Sequence, residues 1–340
     1  MIDDKATRGS PERHSMQRFK NWVEENGLRF AFFRGCDIDM AVYRVRNLAP
    51  AIDPVIFNRY FESFKTSGEL GLSSEELALI IYIPKEVRTV HFELYGKRYE
   101  ASIPPPIYCD EPADIDEFDK AVNDRLDGKA RPVRLPMKSL SVLHGISRYG
   151  RNNITYIDGL GSLFIMRAYA VKGLDKNDIE ISKPLREFAD EDLKCPECDG
   201  CFACIASCPT GAISDDRFLL HAERCMTYHN KNDKDFPAWI DGSSHNCILG
   251  CLQCQACCPM DVGKLIKRPS GVAFGEDETR FLLGIPGTSE IEAIEARIEE
   301  KYTKLGIGYL RELMPRNLRA LFASGNLKVV ELKSEEFDAE

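Results

Sequence analysis

The chain has 340 residues, with 45 Lys plus Arg against 54 Asp plus Glu and a formal net charge of −9 at pH 7. That length exceeds what one core usually serves, so two or three domains are expected, and the negative balance argues against broad nonspecific nucleic-acid binding. The longest apolar run, over 77–83, falls well short of the about 20 residues that a membrane-crossing helix takes, and the start MIDDKATRGSPERHSM lacks the apolar core of a signal peptide. The expectation is a cytoplasmic protein with no membrane span.

In chain order, residues 1–190 read as an α/β or α+β domain. Met16, Phe19, Trp22 and Val23 recur at helical spacing and stop at Asn26-Gly27. An aromatic strand follows over 28–33, and Asp53-Pro54 opens a helix carrying Ile56, Tyr60 and Phe64. Residues 76–83 form an apolar strand ending at Pro84. Runs 87–94 and 97–103 flank Tyr95-Gly96 as a hairpin, since glycine there permits positive φ. An acidic helix spans 113–126 with Ile115, Phe118 and Val122 on its buried face. A helix over 136–143 stops at Gly145 and leads into the loop SRYGRNN, a strand pattern ITYID, the turn Gly159 to Ser162, and a strand over 163–171. Glycines and paired amides between strands suit a backbone-lined ligand site, and an ordinary surface turn is the competing interpretation.

Eleven of the thirteen cysteines then fall between 195 and 258. Cys198-x2-Cys201-x2-Cys204-x3-Cys208-Pro209 has the spacing that wraps a [4Fe–4S] cubane, whose fourth cysteine usually reaches a second cluster. Cys251-x2-Cys254-x3-Cys258-Pro259 repeats the ending, and Cys225 stands alone between the runs. Two cubanes need eight thiolates, and these supply them. The crossing rule assigns Cys198, Cys201, Cys204 and Cys258 to one cluster and Cys208, Cys225, Cys251 and Cys254 to the other. Cys195, Cys247 and Cys257 are left over, and the first two sit where they can substitute as ligands. Zinc knuckles usually pair across about a dozen or more residues rather than laddering at three-residue steps. Disulfides do not suit a reducing compartment.

Beyond Pro259 the text becomes helical. Ser289-Glu290-Ile291-Glu292 reads as a capping box, Ile291, Ile294, Ile298 and Tyr302 make one apolar face until Gly306, and short helices flank Pro315. Lys301, Lys304, Arg311, Arg316, Arg319 and Lys328 are scattered as on a solvated face.

The glycine loop GISRYGRNN at 145–153, the 159–162 turn, the run C-x2-C-x2-C-x3-C-P-T-G-A at 198–212, the isolated Cys225 and the closing C-x2-C-x3-C-P together resemble epoxyqueuosine reductases and, more distantly, corrinoid reductive dehalogenases, over about residues 130–265. The resemblance implies an α+β protein: a nitroreductase-like α/β corrinoid-binding domain over 1–190, a bacterial dicluster ferredoxin-like domain over 191–265 and a short helical C-terminal segment over 266–340. It implies a cobalamin touched by Gly145, Arg148, Tyr149, Gly150, Arg151, Asn152, Asn153, Gly161 and Ser162, with two [4Fe–4S] clusters feeding it electrons. The implied function is an iron–sulfur oxidoreductase whose cobalamin reduces an unidentified organic substrate. The alternatives are an epoxyqueuosine reductase acting on transfer RNA, or an electron-transfer or corrinoid-reactivating protein. Implied partners are a low-potential donor such as a ferredoxin or flavodoxin, and a small-molecule or modified-nucleoside substrate.

One departure matters. Where the family carries V-D-T-A-P with a proton-donating acid, this chain has Arg131-Pro132-Val133-Arg134-Leu135-Pro136. Asp124 and Asp127 lie nearby in sequence; Tyr108 and Tyr149 are candidate proton donors and Arg131 a candidate oxyanion stabiliser. The mildly basic tail weakens transfer RNA as substrate.

Overall fold

The computed structural model describes residues 11–73, 76–105, 112–174, 179–185, 195–232, 234–287 and 290–331. Two four-stranded sheets organise it. The first joins β1 (Arg29–Arg34), β2 (Leu77–Pro84), β8 (Phe164–Val171) and β5 (Ala130–Pro132) in the order β1-β2-β8-β5, all antiparallel. The strand β2 shows why this sheet is central. Leu77, Leu79, Ile81 and Ile83 pack on one face against Met16, Phe19 and Val23 of α1 (Pro11–Glu25) and Val122 of α4 (Pro112–Arg125). Ala78, Ile80 and Tyr82 pack on the other against Ile38, Ala41 and Val42 of α2 (Gly35–Asn47) and Leu140 and Leu143 of α5 (Met137–Leu143). The two-residue period of a strand sends alternate side chains to opposite faces, so a continuous apolar run means burial on both.

Polar contacts fix the layers. On α4, Asp119 accepts from Arg167 Nε at 3.2 Å and from the Tyr169 hydroxyl at 2.7 Å, both on β8. The fully buried Asp37 accepts from Arg34 N, Nε and Nη2 at 2.9, 3.2 and 3.0 Å, and lies 3.7 Å from Nε2 of the buried His144. Desolvation holds that imidazole below its ordinary pKa, opposed by the Asp37 charge. Short of both sheets, Asp53 caps α3 (Pro54–Tyr60) by accepting from Val55 N and Ile56 N.

The second sheet has the order β10-β4-β3-β9. Its hairpin, β3 (Val87–Leu94) and β4 (Lys97–Ile103), turns at Tyr95 and Gly96 with φ of 51° and 70°, the two positive values a tight hairpin requires. The expected helical tail carries strands as well as helices. β9 (Lys267–Phe274) pairs parallel with β3, and β10 (Lys328–Val330) pairs antiparallel with β4. They lie beside α9 (Glu276–Leu283), α10 (Ile291–Leu305) and α11 (Met314–Ser324). These helices bury Leu282, Ile294, Ile298, Tyr302, Leu318 and Leu321 on Val90, Phe92, Ala101 and Phe274, with the Phe92 and Phe274 rings stacked at 4.9 Å. The tail thus shares a core with the hairpin, and residues 195–265 leave and rejoin a body built from both ends of the chain. Helix α10 begins at Ile291; Ser289 lies outside the described residues.

Among the described residues no helix is long and apolar enough to cross a membrane.

Candidate functional site

The two cysteine runs fold as near copies. The short helices α6 (Ala203–Ala206) and α8 (Gln253–Ala256) are entered from Phe202 and Leu252 at φ −122° and −116°, and left through Ser207 and Cys257 at φ −90° and −88°. After each, a cysteine amide bonds back three residues, Cys208 to Ile205 O at 3.2 Å and Cys258 to Gln255 O at 3.1 Å, before the proline turns the chain away. Equal spacing thus produces equal local geometry.

Cys198, Cys201 and Cys204 of the first run and Cys258 of the second line one cavity, with Gly150, Arg151, Asn152 and Tyr156 on its wall. Cys208, Cys225, Cys251 and Cys254 gather next to it. Burial raises the Cys254 thiol well above its usual pKa, and Cys251, Cys225, Cys208 and Cys204 raise it further, as like charges in one place must. Burial likewise pushes Cys251 and Cys204 each up to about 11. Thiolates gathered this closely call for a cation to offset their charge, and metal uptake here would release protons.

Donors surround the sulfurs. Arg151 N reaches Cys198 Sγ at 3.4 Å, Ala212 N reaches Cys208 at 3.2 Å, and Asn246 Nδ2 reaches Cys251 at 3.2 Å. The Tyr156 hydroxyl bonds to Cys258, and the amides of Thr227 and Tyr228 bond to Cys225. Hydrogen bonds to sulfur are one lever on a cluster's potential.

The spare cysteines have other partners. Cys195 is buried, donates its amide to Tyr149 O at 2.7 Å, and bonds through its thiol to Cys198. Cys247 packs with Val87, Leu163 and Leu252 and donates to Asn246 Oδ1 at 3.3 Å. Cys257 sits close enough to Cys204 to raise its pKa.

The glycine and amide loop, expected to touch a corrin, is turned toward the cysteine module instead. Gly145, at φ 67°, ends α5 by donating to Val142 O. Arg148 pairs with Tyr156 in the small ladder of β6 (Arg148–Tyr149) and β7 (Thr155–Tyr156). A Cβ on Gly150 would lie 2.6 Å from the Tyr156 ring and 2.7 Å from Asn152 Oδ1. Arg151 donates to Cys198 O at 3.0 Å, pairs with Asp215 and stacks on Phe202. Asn152 donates to the Tyr156 hydroxyl and to Cys254 O, and Asn153 bridges Phe218 O and Leu220 N. At the next turn, Ser162 donates N and Oγ to the buried Asp261 at 2.8 and 2.5 Å and accepts from Gln255 Nε2 at 2.8 Å. A Cβ on Gly161 would stand 2.5 Å from that same Asp261 carboxylate. Arg151, Asn152, Asn153 and Ser162 thus spend their side chains on the cysteine segment, and nothing about them calls for a corrin.

Tyr108 lies outside the described residues. Arg131 is exposed, donating to Leu70 O at 3.2 Å with Glu76 at 4.0 Å, which removes it from the cysteine module. Asp127 pairs with Arg18, and Asp124 is exposed on α4. Tyr149 does face the site: burial pushes its phenol up to about 12, Ser139 bonds to its hydroxyl, Arg44 of α2 lies near it, and Phe218 meets its ring edge-on. Beside Ser139, Lys138 keeps accessible surface, yet desolvation lowers its amine and the Cys254 charge opposes that. Lys138, Tyr149 and Arg44 thus lie together beside the cysteine module. Sequence reasoning missed Lys138 and Arg44. Arg44 belongs to a helix the sequence reading did not place, and Lys138 has no motif around it.

The site and fold define a double-cluster iron–sulfur protein, and comparison with known proteins agrees. Residues 197–261 match the family model described as "4Fe-4S double cluster binding domain". Epoxyqueuosine reductases are similar in sequence. That of Prochlorococcus marinus is 38% identical over 73 residues, 21% of this chain and 23% of that protein. That of Gloeobacter violaceus is 31% identical over 67 residues, 19% and 21%, and that of Francisella cf. novicida 25% over 201 residues, 57% and 51%. The matches span about half or less of these relatives' length. In fold, the chain superposes on epoxyqueuosine reductase from Bacillus subtilis with a TM-score of 0.61 at 16% identity, covering 91% of this chain and 81% of that one. It also superposes on an epoxyqueuosine reductase crystallised with an epoxyqueuosine-modified tRNA stem loop, with a TM-score of 0.62 at 17% identity, covering 91% and 80%. The chain is epoxyqueuosine reductase-like, with a double [4Fe–4S] cluster domain. This overturns the expected cobalamin-dependent reductase of an unidentified organic substrate, because the relatives point to the transfer-RNA alternative.

Proposed function

We propose that this chain is an iron–sulfur reductase acting on an epoxide-bearing modified nucleoside of transfer RNA. The observation that supports it best is the pair of interleaved cysteine quartets, with Lys138, Tyr149 and Arg44 grouped beside them. In this reading Cys198, Cys201, Cys204 and Cys258 hold one [4Fe–4S] cluster and Cys208, Cys225, Cys251 and Cys254 hold the other. When bound, such clusters supply low-potential electrons.

The chain's own residues supply the rest. Removing an epoxide oxygen as water takes two electrons and two protons. The Tyr149 phenol, held up to about 12, stays protonated at neutral pH and donates a hydrogen bond to a substrate oxygen placed beside it. Lys138 and Arg44 add cationic donors where negative charge develops, which is the form of stabilisation a partly desolvated site strengthens. They stand in for the carboxylic acid that this chain lacks at 131–136. Arg151, Asn152 and Asn153 hold the α/β body on the cysteine module, so Tyr149 and the electron source keep one spacing.

The test is anaerobic incubation of the reduced protein with an epoxyqueuosine-containing stem loop, followed by nucleoside digestion and mass analysis. Loss of one oxygen from the modified nucleoside is the expected result. An unchanged nucleoside in the presence of fully reduced protein would remove the proposal.

A further inference from the structure

A groove with a volume of about 600 Å³ runs along the edge of the second sheet, and its walls hold Lys85, Arg88, Lys264, Arg268 and Lys304 against one carboxylate, Glu86. Such a concentration of positive charge is unexpected on a chain with a net charge of −9, and nothing in the proposed chemistry uses it. Some of it is partly balanced: Arg268 pairs with Glu86, and Lys304 with Glu300. Arg88 donates to Leu305 O at 3.3 Å and Lys264 to Met260 O, and Leu160, Leu163 and Ile266 line the groove with them. On the same segment, Ile266 is 47% and Val262 is 78% exposed.

The groove's position gives it meaning. Lys264 Nζ donates to Met260 O at 2.9 Å, and Met260 lines the cavity of Cys198, Cys201, Cys204 and Cys258. Gly161, between groove-lining Leu160 and the Ser162 tie, is closed over by Asp261 and Lys264. The groove therefore adjoins the first cysteine quartet. A relay needs an entrance for electrons at one of its quartets.

We infer that this groove is the docking face for an acidic one-electron carrier protein of the ferredoxin class, which delivers reducing equivalents to the first quartet. The inference rests on the proposed reductase reading and adds where its electrons enter. In each encounter the reduced carrier is oxidised by one electron and the metal centre held by Cys198, Cys201, Cys204 and Cys258 is reduced by one; no proton or bond is exchanged. Carboxylates on the carrier meet the rim of Lys85, Arg268 and Lys304, and exposed Val262 and Ile266 supply the apolar contact that lets the encounter settle. Charge-steered association of this kind is fast and sensitive to salt.

The experiment uses the intact, cluster-loaded protein and a reduced acidic [2Fe–2S] ferredoxin, with reduction followed by stopped-flow absorbance and binding of the oxidised ferredoxin followed by calorimetry. No nucleoside is needed, so failure here is separable from failure of the substrate proposal. For the unaltered protein the second-order rate should fall at least tenfold from low to physiological salt, as expected when exposed charges steer an encounter. Lys85→Glu/Arg268→Glu/Lys304→Glu should lower that rate at least tenfold at low salt and abolish measurable binding, with iron content and reduction by dithionite unchanged. The neutral triple Lys85→Gln/Arg268→Gln/Lys304→Gln should fall between, and serves if the reversal variant does not fold. A salt-independent rate, or equal rates in all three proteins, overturns the inference. Loss of stem-loop RNA binding in the variants with unchanged ferredoxin reduction also overturns it and makes the groove an RNA face.

Discussion

Replacing Gly161 with alanine isolates the tie between the α/β body and the cysteine module. Gly159 and Gly161 share one turn and nearly one conformation, φ 76° and 75°, so an alanine at either meets the same left-handed strain of about 1 to 2 kcal/mol. Their surroundings differ. At 159 the new methyl meets only the tip of Arg29 at 3.3 Å, a flexible end that moves aside. At 161 it would stand 2.5 Å from Asp261 Oδ1 and 2.8 Å from Lys264 Cδ, so the buried carboxylate must shift and release the Ser162 amide and hydroxyl. Hydrogen bonds to a charged acceptor are worth about 1.5 to 3 kcal/mol each, so losing both costs about 3 kcal/mol at the least. Gly161→Ala should therefore be less stable than Gly159→Ala by about 3 kcal/mol, roughly a hundredfold in the folding equilibrium. Anaerobic urea titration followed by far-ultraviolet dichroism reads the difference, and iron retention after gel filtration reads its effect on the cysteine module. Equal midpoints for the two variants would refute the claim that Asp261 and Ser162 clamp the domains together.

Asp119→Ala should cost about 3 kcal/mol, because it leaves the half-buried Arg167 and the Tyr169 hydroxyl without their shared acceptor; a loss under 1 kcal/mol by urea unfolding would contradict this. Acidification should destabilise the protein through its buried imidazoles. Desolvation lowers His144, His229 and His245 below the ordinary value of about 6.5, so below that pH the unfolded chain binds protons that the folded one refuses. Their contribution is whole above about pH 6.5 and is lost as pH falls toward the folded pKa values; His245→Gln should flatten the decline in thermal midpoint, and an unchanged slope would count against the histidine account. Cys257→Ala and Cys247→Ala should keep the full iron content, whereas Cys254→Ala should lose about half; equal loss in all three would mean that the ligand sets are misassigned.

Much of this was legible in the sequence because chemistry demands it locally. Cysteine spacing dictates the paired turns at 203–206 and 253–256, and the unbroken apolar run over 77–83 suits a strand buried on both faces. Tyr95-Gly96 required a hairpin. Other parts depend on partners far away in the chain. Helix α2 has Ile38, Ala41, Val42 and Val45 at helical spacing, but it follows a strand without a break and its buried Asp37 disguises the start. Strand β9 contains Pro269 and Gly271, which argue against a strand until β3 supplies a parallel neighbour with a register shift between Thr89 and His91. The loop at 145–153 shows the deeper limit. Glycines and amides announce that backbone and polar groups will be needed, and only the fold shows that Cys198, Cys254 and Phe218 are what they hold.

Two iron–sulfur cubes held side by side by exchanged cysteines carry the proposed chemistry. Anaerobic purification followed by iron, sulfide and zinc analysis, with electron paramagnetic resonance of the reduced protein, tests that most directly. About eight irons and eight sulfides per chain, and a spectrum broadened by coupling between neighbouring centres, are predicted. Zinc in place of iron, or about four irons giving the signal of one isolated centre, would contradict it.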